Sequence, residues 1–170
     1  MILTEVGFSG GSTSHPSYYK MGDHTEVVRL HFNPDLTSLQ SLLQHFWRSH
    51  DSTAARPAQY RSLIVCSSEK QLETAGELLS AQRKSLTVLL SDQVFHLAEE
   101  KHQKYYFSRH PALVRSLAWE DSPATSVVAS RLNGYLGGHG NMAAFNREWQ
   151  SLGLTSRIAE YVREVIVRRG

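Results

Sequence analysis

The sequence has one cysteine, Cys66, in 170 residues. A single thiol excludes an internal disulfide and points to a reducing compartment. No apolar stretch approaches the roughly 20 residues that a membrane-spanning helix needs. The opening "MILTEVGFSGG" has no basic segment ahead of a long apolar one, so a secretory leader is not expected. Charge of one sign is scarce as well: 18 Lys and Arg against 16 Asp and Glu leave a formal +2, and the longest basic run is Arg168-Arg169. Nucleic-acid binding therefore has no electrostatic footprint. What is present is ordinary for a folded protein, with 41% hydrophobic and 20% charged residues. The length suits one domain, or one domain with a helical tail.

Periodicity divides the chain into alternating elements. Ile2 to Phe8 is a short strand that breaks at Gly10-Gly11, and Ser12 to Lys20 is a loop by its Gly, Ser and Pro content. Thr25 to Asn33 alternates, with Glu26, Val28, Leu30 and Phe32 on the face expected to meet the core. Leu39, Leu42, Leu43, Phe46 and Trp47 have helical spacing behind a Thr37 or Ser38 cap. "YRSLIVC" predicts a strand, and Ser68 with Gln71 a capping box opening a helix to about Lys84. "LTVLL" and "QVFHL" predict short strands, Ala98–Phe107 a helix, and Pro111–Trp119 a shorter one. "RLNGYLGGHGN" predicts a glycine-rich loop before a helix over Met142–Leu152. Thr155 caps a last helix with Ile158, Tyr161, Val162, Val165 and Ile166 on one face. The order predicts an α+β domain with a helical extension.

Four features invite a chemical reading. "GFSGG" and "GYLGGHG" lack the G-x-G-x-x-G fingerprint, so a phosphate cradle gives way to plain turns. Nine histidines suggest zinc, yet His96 and His102, or His45 and His50, fall at spacings that match no paired-ligand pattern. Cys66 ends an apolar strand, where a thiol stays protonated. Glu26 shares a face with Val28, Leu30 and Phe32, and burial there would raise its pKa as a general acid requires. A strand-end glutamate reaching solvent fits the same pattern, and spacing does not choose between the two.

Seven segments then read together in order: "VGFSGG", "HPSY", "GDHTEVVRLHFNP", "LLQHFWRSHD", "QYRSLIV", "LAEEKHQKYY" and "RLNGYLGGHG". They resemble, respectively, the V-G-Y-x-G-G, N-P-T-Y, G-H-x-E-V-V, F-W-x-x-H-D, Q-Y-R-S and A-E-x-Y-H-Q-x-Y motifs of A-type peptide methionine sulfoxide reductases, and the tail of a subgroup with a helical C-terminal extension. The resemblance covers nearly the whole chain. It implies an α+β, two-layer sandwich with a mixed sheet of ferredoxin-like type, with residues 1–120 as the catalytic domain and 121–170 as a helical extension packed on it.

The resemblance also implies a chemistry. In the family a cysteine thiolate attacks the sulfoxide sulfur while a glutamic acid and two tyrosines hydrogen-bond its oxygen. Carried over, these are Glu26, Tyr18 and Tyr60, with His24, His50, Asp51 and His102 as supporting positions and no metal. The family's nucleophile lies in G-C-F-W, which this sequence lacks along with the first strand and helix, and no C-terminal resolving cysteine occurs. The family's aspartate before Q-Y-R-S has no counterpart in the shortened loop "STAARPA". An N-terminally truncated reductase, inactive by itself, is the first expectation. A non-catalytic module binding methionine sulfoxide or methionine peptides is the alternative. No bound cofactor is expected, but an external thiol reductant, thioredoxin or dithiothreitol, is implied. The expected substrates are free or protein-bound methionine-S-sulfoxide. The protein is expected to be a monomer that meets neither nucleic acid nor membrane, in the cytoplasm, or in mitochondria if a further N-terminal segment exists. Loss of a strand and helix should leave apolar surface and a sheet edge exposed.

Overall fold

The computed structural model describes residues 3–117 and 122–169, which fall into two compact units. The first spans Val6–Glu99; the second starts at Glu100 and takes in residues 3–5. The strands are β1 (Leu3–Ser9), β2 (Thr25–His31), β3 (Leu63–Cys66), β4 (Val88–Ser91) and β5 (His96–Leu97). The helices are α1 (Leu39–Arg48), α2 (Glu69–Ser80), α3 (Tyr105–Ser108), α4 (Pro111–Ser116), α5 (Val127–Leu136), α6 (Met142–Glu148) and α7 (Ser156–Arg169). The predicted α+β class is the one observed.

In the first unit, β1 pairs antiparallel with β5, setting Phe8 opposite His96, and lies between β5 and β2. β3 and β4 form a parallel pair with Leu63 opposite Val88. Helices α1 and α2 form because each has a serine cap and one apolar stripe: Ser38 accepts from Ser41 N, and Ser68 from Gln71 N. Gln71 reaches back to the N–H of Ser67 at 3.0 Å, completing a variant of the expected box. The two stripes and β3 bury Leu43, Ile64, Cys66 and Ala75 together.

The second unit is helical, with a core that includes Phe107, Leu132, Leu136, Phe145, Ile158 and Val162. Asn133 on α5 accepts from the backbone N–H groups of Tyr106 (2.9 Å) and Phe107 (3.1 Å), so one helix caps the start of another. Lys104 is buried, and its ammonium donates to the carbonyls of Thr4 and Ala124 (2.9 Å to the latter). Arg131 and the Tyr135 hydroxyl both donate to the Glu148 carboxylate. Burial and that carboxylate push the Tyr135 phenol up to about 12.

Four assignments and three helix ends need correction. Val28 and Leu30 are 58% and 40% exposed, so the alternating face of β2 meets solvent rather than a core, and β2 is an outer strand of its sheet. The residues before β3 are not strand: Ala58–Tyr60 is a 3-10 turn. The predicted helix over Ala98–Phe107 is a 3-10 turn, Glu100–His102, followed by α3. The break is at Lys104, whose left-handed backbone (φ +47°) costs about 1–2 kcal/mol. Finally, "RLNGYL" is not loop but the body of α5. Ser126 caps it, and Ala129, Leu132 and Leu136 are fully buried at helical spacing, which outweighs the roughly 1 kcal/mol that Gly134 costs a helix. The glycine-rich turn starts only at Gly137; an added Cβ at Gly140 would lie 2.4 Å from the Tyr135 ring. The helix ends at Lys84, Trp119 and Leu152 come early, at Ser80, Ser116 and Glu148, and Trp119 itself lies outside the described residues, as do Ile2 and the 120/121 boundary.

Asn133→Ala leaves two backbone donors without their cap and should destabilise the protein by about 1–3 kcal/mol in urea unfolding, with no change in slope. Lys104 supplies a pH test. Burial draws its amine down from 10.5 to about 8, against the opposing pull of the Glu5 charge. Between those two values the unfolded chain binds more protons at this site than the folded one, so stability from this residue rises with pH across the window. The Tm difference between wild type and Lys104→Met should therefore shift in favour of wild type from pH 8 to 10, and a flat difference would contradict it.

Candidate active site

The loop joining β1 to β2 is clamped from inside. Asp23 accepts from the backbone N–H groups of Ser12 (2.8 Å) and Thr13 (3.1 Å) and from both hydroxyls, each at 2.9 Å. Those backbone donors hold its carboxyl well below the usual carboxylate range. His24 is buried; its Nδ1 accepts from Gly11 N–H at 3.3 Å, which assigns the proton to Nε2, donating to the Thr13 carbonyl at 2.8 Å. Only glycine fits at position 11, because a Cβ there would lie 2.6 Å from the His24 nitrogen. Within this loop Ser17 and Lys20 form an isolated bridge, and Tyr18 stands between them, 42% exposed. The Tyr18 N–H donates to the Glu99 carboxylate (3.3 Å), and its ring meets Tyr19 edge-on at 5.3 Å.

The start of β2 is the anchored end of that strand. Thr25 is buried, donates to the Ala58 carbonyl at 2.8 Å, and accepts from Arg61 Nε at 2.7 Å. Arg61 also donates to the Gly10 carbonyl at 2.7 Å, so one guanidinium joins the end of β1, the start of β2 and the turn before β3. Glu26, next along, is half-buried and accepts from the Gln59 side-chain amide at 2.7 Å. Gln59 and Tyr60 share the Ala58–Tyr60 turn, which packs on β2. The structure thus brings the turn carrying Tyr60 against the strand carrying Glu26. Tyr60 is 57% exposed.

The remaining expected positions, His50, Asp51 and His102, lie on other elements with partners of their own. His50 bridges the Phe46 carbonyl and the Ser62 hydroxyl, each at 2.8 Å, and Ser62 continues through Thr87 (2.7 Å) to the Trp47 indole (3.2 Å). Asp51 is exposed and accepts from Thr53, whose hydroxyl and N–H lower its pKa. His102 is half-buried on the 3-10 turn Glu100–His102 of the second unit. Cys66 is 2% exposed in the α1–α2–β3 core, and burial pushes its thiol up, away from a thiolate. Among the described residues, no group of three or more His, Cys, Asp or Glu could hold a metal ion, and no helix is long and apolar enough to cross a membrane.

Gln59, Arg61 and Glu99 escaped the reading of the sequence, although each stood in a quoted motif. "QYRS" drew attention to Tyr60 alone, while its flanking residues are the ones that bond β2.

Two family models and several relatives match this chain. The family model for peptide methionine sulfoxide reductase matches residues 1–131, and the model for the helical domain of selenoprotein methionine sulfoxide reductase A matches residues 121–167. A peptide methionine sulfoxide reductase of Drosophila melanogaster is 38% identical across 95% of this chain and 69% of its own length. Peptide methionine sulfoxide reductase A5 of Arabidopsis thaliana is 32% identical, covering 79% of this chain and 59% of its own length. The human mitochondrial peptide methionine sulfoxide reductase is 36% identical, covering 64% and 54%. The chain therefore spans between about half and two thirds of the length of these relatives. Among solved structures, Mxr1 from Saccharomyces cerevisiae in an unusual oxidized form aligns with a TM-score of 0.48 at 22% identity, over 64% of this chain and 66% of that one. With a family model covering most of its length and a relative 38% identical over 95% of it, the chain belongs to the peptide methionine sulfoxide reductase family of oxidoreductases.

Proposed function

We propose that this chain holds the sulfoxide oxygen in the reduction of methionine-S-sulfoxide, with Glu26 as proton donor and the Tyr18 and Tyr60 hydroxyls as hydrogen-bond donors. The observation that carries this reading is the Gln59–Glu26 bond at 2.7 Å, on the turn that also bears Tyr60. It ties one oxygen of the Glu26 carboxyl to the turn on which Tyr60 sits. Sulfoxide oxygen is a poor leaving group until it receives a proton. As a thiolate attacks sulfur and the S–O bond weakens, a neutral carboxylic acid and two phenols stabilise the growing charge.

Reduction also needs that thiolate. It is oxidised to a sulfenic acid as the sulfoxide becomes methionine, and a dithiol such as thioredoxin or dithiothreitol then restores it. Cys66 does not fill the role: it is buried with a raised pKa, at the end of a core strand. In this reading the chain binds the substrate but does not turn it over without a further thiol. Residues 1–120 carry the binding groups and 121–170 form a helical extension. A lone thiol that makes no disulfide suits a reducing compartment, cytoplasmic or mitochondrial.

Two measurements test this. Calorimetric titration with a peptide containing methionine-S-sulfoxide should give saturable binding, weakened tenfold or more by Glu26→Gln and by Tyr60→Phe; a tenfold loss is about 1.4 kcal/mol, the scale of one hydrogen bond between neutral groups. Unchanged affinity in both variants would remove these residues from the site. Incubation of the chain with the same peptide and dithiothreitol should release no methionine, and turnover abolished by Cys66→Ala would overturn the assignment of Cys66 as structural.

A further inference from the structure

The turn that faces Glu26 is itself laced to β2. The Ala58 carbonyl accepts from the Thr25 hydroxyl at 2.8 Å, and Arg61 Nε donates to the same hydroxyl at 2.7 Å. Between those two anchors stands Gln59, whose side-chain Nε2 donates to Glu26 Oε1 at 2.7 Å. Among the described residues this is the only hydrogen bond of the Glu26 carboxyl and of the Gln59 amide. Both residues are half-buried. Bonds at the residues on either side thus place the Gln59 donor, which its own torsions alone would not do.

We propose that Gln59 is a positioning residue that decides which oxygen of Glu26 carries the proton. The inference rests on the reading of Glu26 as proton donor and names the atom that gives the proton. The carboxyl oxygen that receives an amide N–H is the acceptor end of the group, so in the neutral acid the proton resides on Oε2. Without that bond the two oxygens are equivalent, and the carboxyl turns freely about its last, broad torsion. When Oε2–H passes its proton to the sulfoxide oxygen, the carboxyl becomes a carboxylate. The bond from Gln59 then strengthens, because its acceptor is charged. The contact therefore favours the state after transfer over the state before it. A neutral amide suits this task. A lysine or arginine at position 59 would hold the carboxyl ionised beforehand, with no proton to give.

The test titrates the full chain by calorimetry with two peptides, one bearing methionine-S-sulfoxide and the other methionine at the same position. Gln59→Met keeps the length of the side chain and removes the donor. It should weaken binding of the sulfoxide peptide about threefold or more and leave the methionine peptide unchanged. Gln59→Asn keeps the amide but stops one methylene short of the carboxyl, and should lose sulfoxide affinity in the same way. In a Glu26→Gln background, Gln59→Met should cost nothing further, since Gln59 acts only through that carboxyl. Equal weakening of both peptides, an undiminished effect in the Glu26→Gln background, or full sulfoxide affinity in both Gln59 variants would each overturn the proposal. If Glu26→Gln itself leaves sulfoxide binding intact, the reading of Glu26 as proton donor fails, and this inference falls with it.

Discussion

The guanidinium of Arg61 is the constraint on which the candidate site depends. It bonds Thr25 at the start of β2 and Gly10 just past β1, and its own backbone continues the turn that bears Gln59 and Tyr60. Three segments distant in sequence thus meet at one planar cation. Lysine, a point charge on a flexible stem, could not reach both acceptors with the same fixed geometry. Glu26 inherits its position from this junction, since the residue before it is the one that Arg61 and Ala58 hold.

The second unit follows the same logic with different groups. A buried cation, Lys104, ties residue 4 to residue 124, and a buried amide, Asn133, ties α5 to α3. In each unit a polar side chain joins segments that apolar packing alone would leave free to slide. Hydrophobic contacts supply most of the stabilisation but do not select one alignment; directional bonds at a few points do.

Much of the fold was legible because it follows local rules. The serine caps, the apolar stripes of α1, α2 and α7, and the strand ending in Cys66 all obey periodicity. What escaped was decided by distant partners. Lys104 breaks a helix to satisfy carbonyls at positions 4 and 124, and no local pattern contains that information. α5 forms through a glycine-bearing stretch because burial of Leu132 and Leu136 outweighs propensity. Val28 and Leu30 alternate as a core face should, yet they are exposed, because alternation records which residues share a face and not what covers it. For the candidate site, motif likeness put forward Glu26, Tyr18 and Tyr60. The bonds of Gln59 and Arg61 required coordinates.

The exposure gradient along β2 has a mechanical meaning. Burial falls from Thr25 through Glu26 and Val27 to the solvent-facing Val28, Arg29, Leu30 and His31. A strand normally keeps its register because one side must stay dry. Here only the first residues meet that condition, so the register of β2 is set at its Thr25 end, while the later residues lie over neighbours at the surface, as Arg29 does on the Phe95 ring at 4.0 Å from its centroid. The carboxyl of Glu26 therefore sits beside the one buried residue that decides which way the whole strand faces.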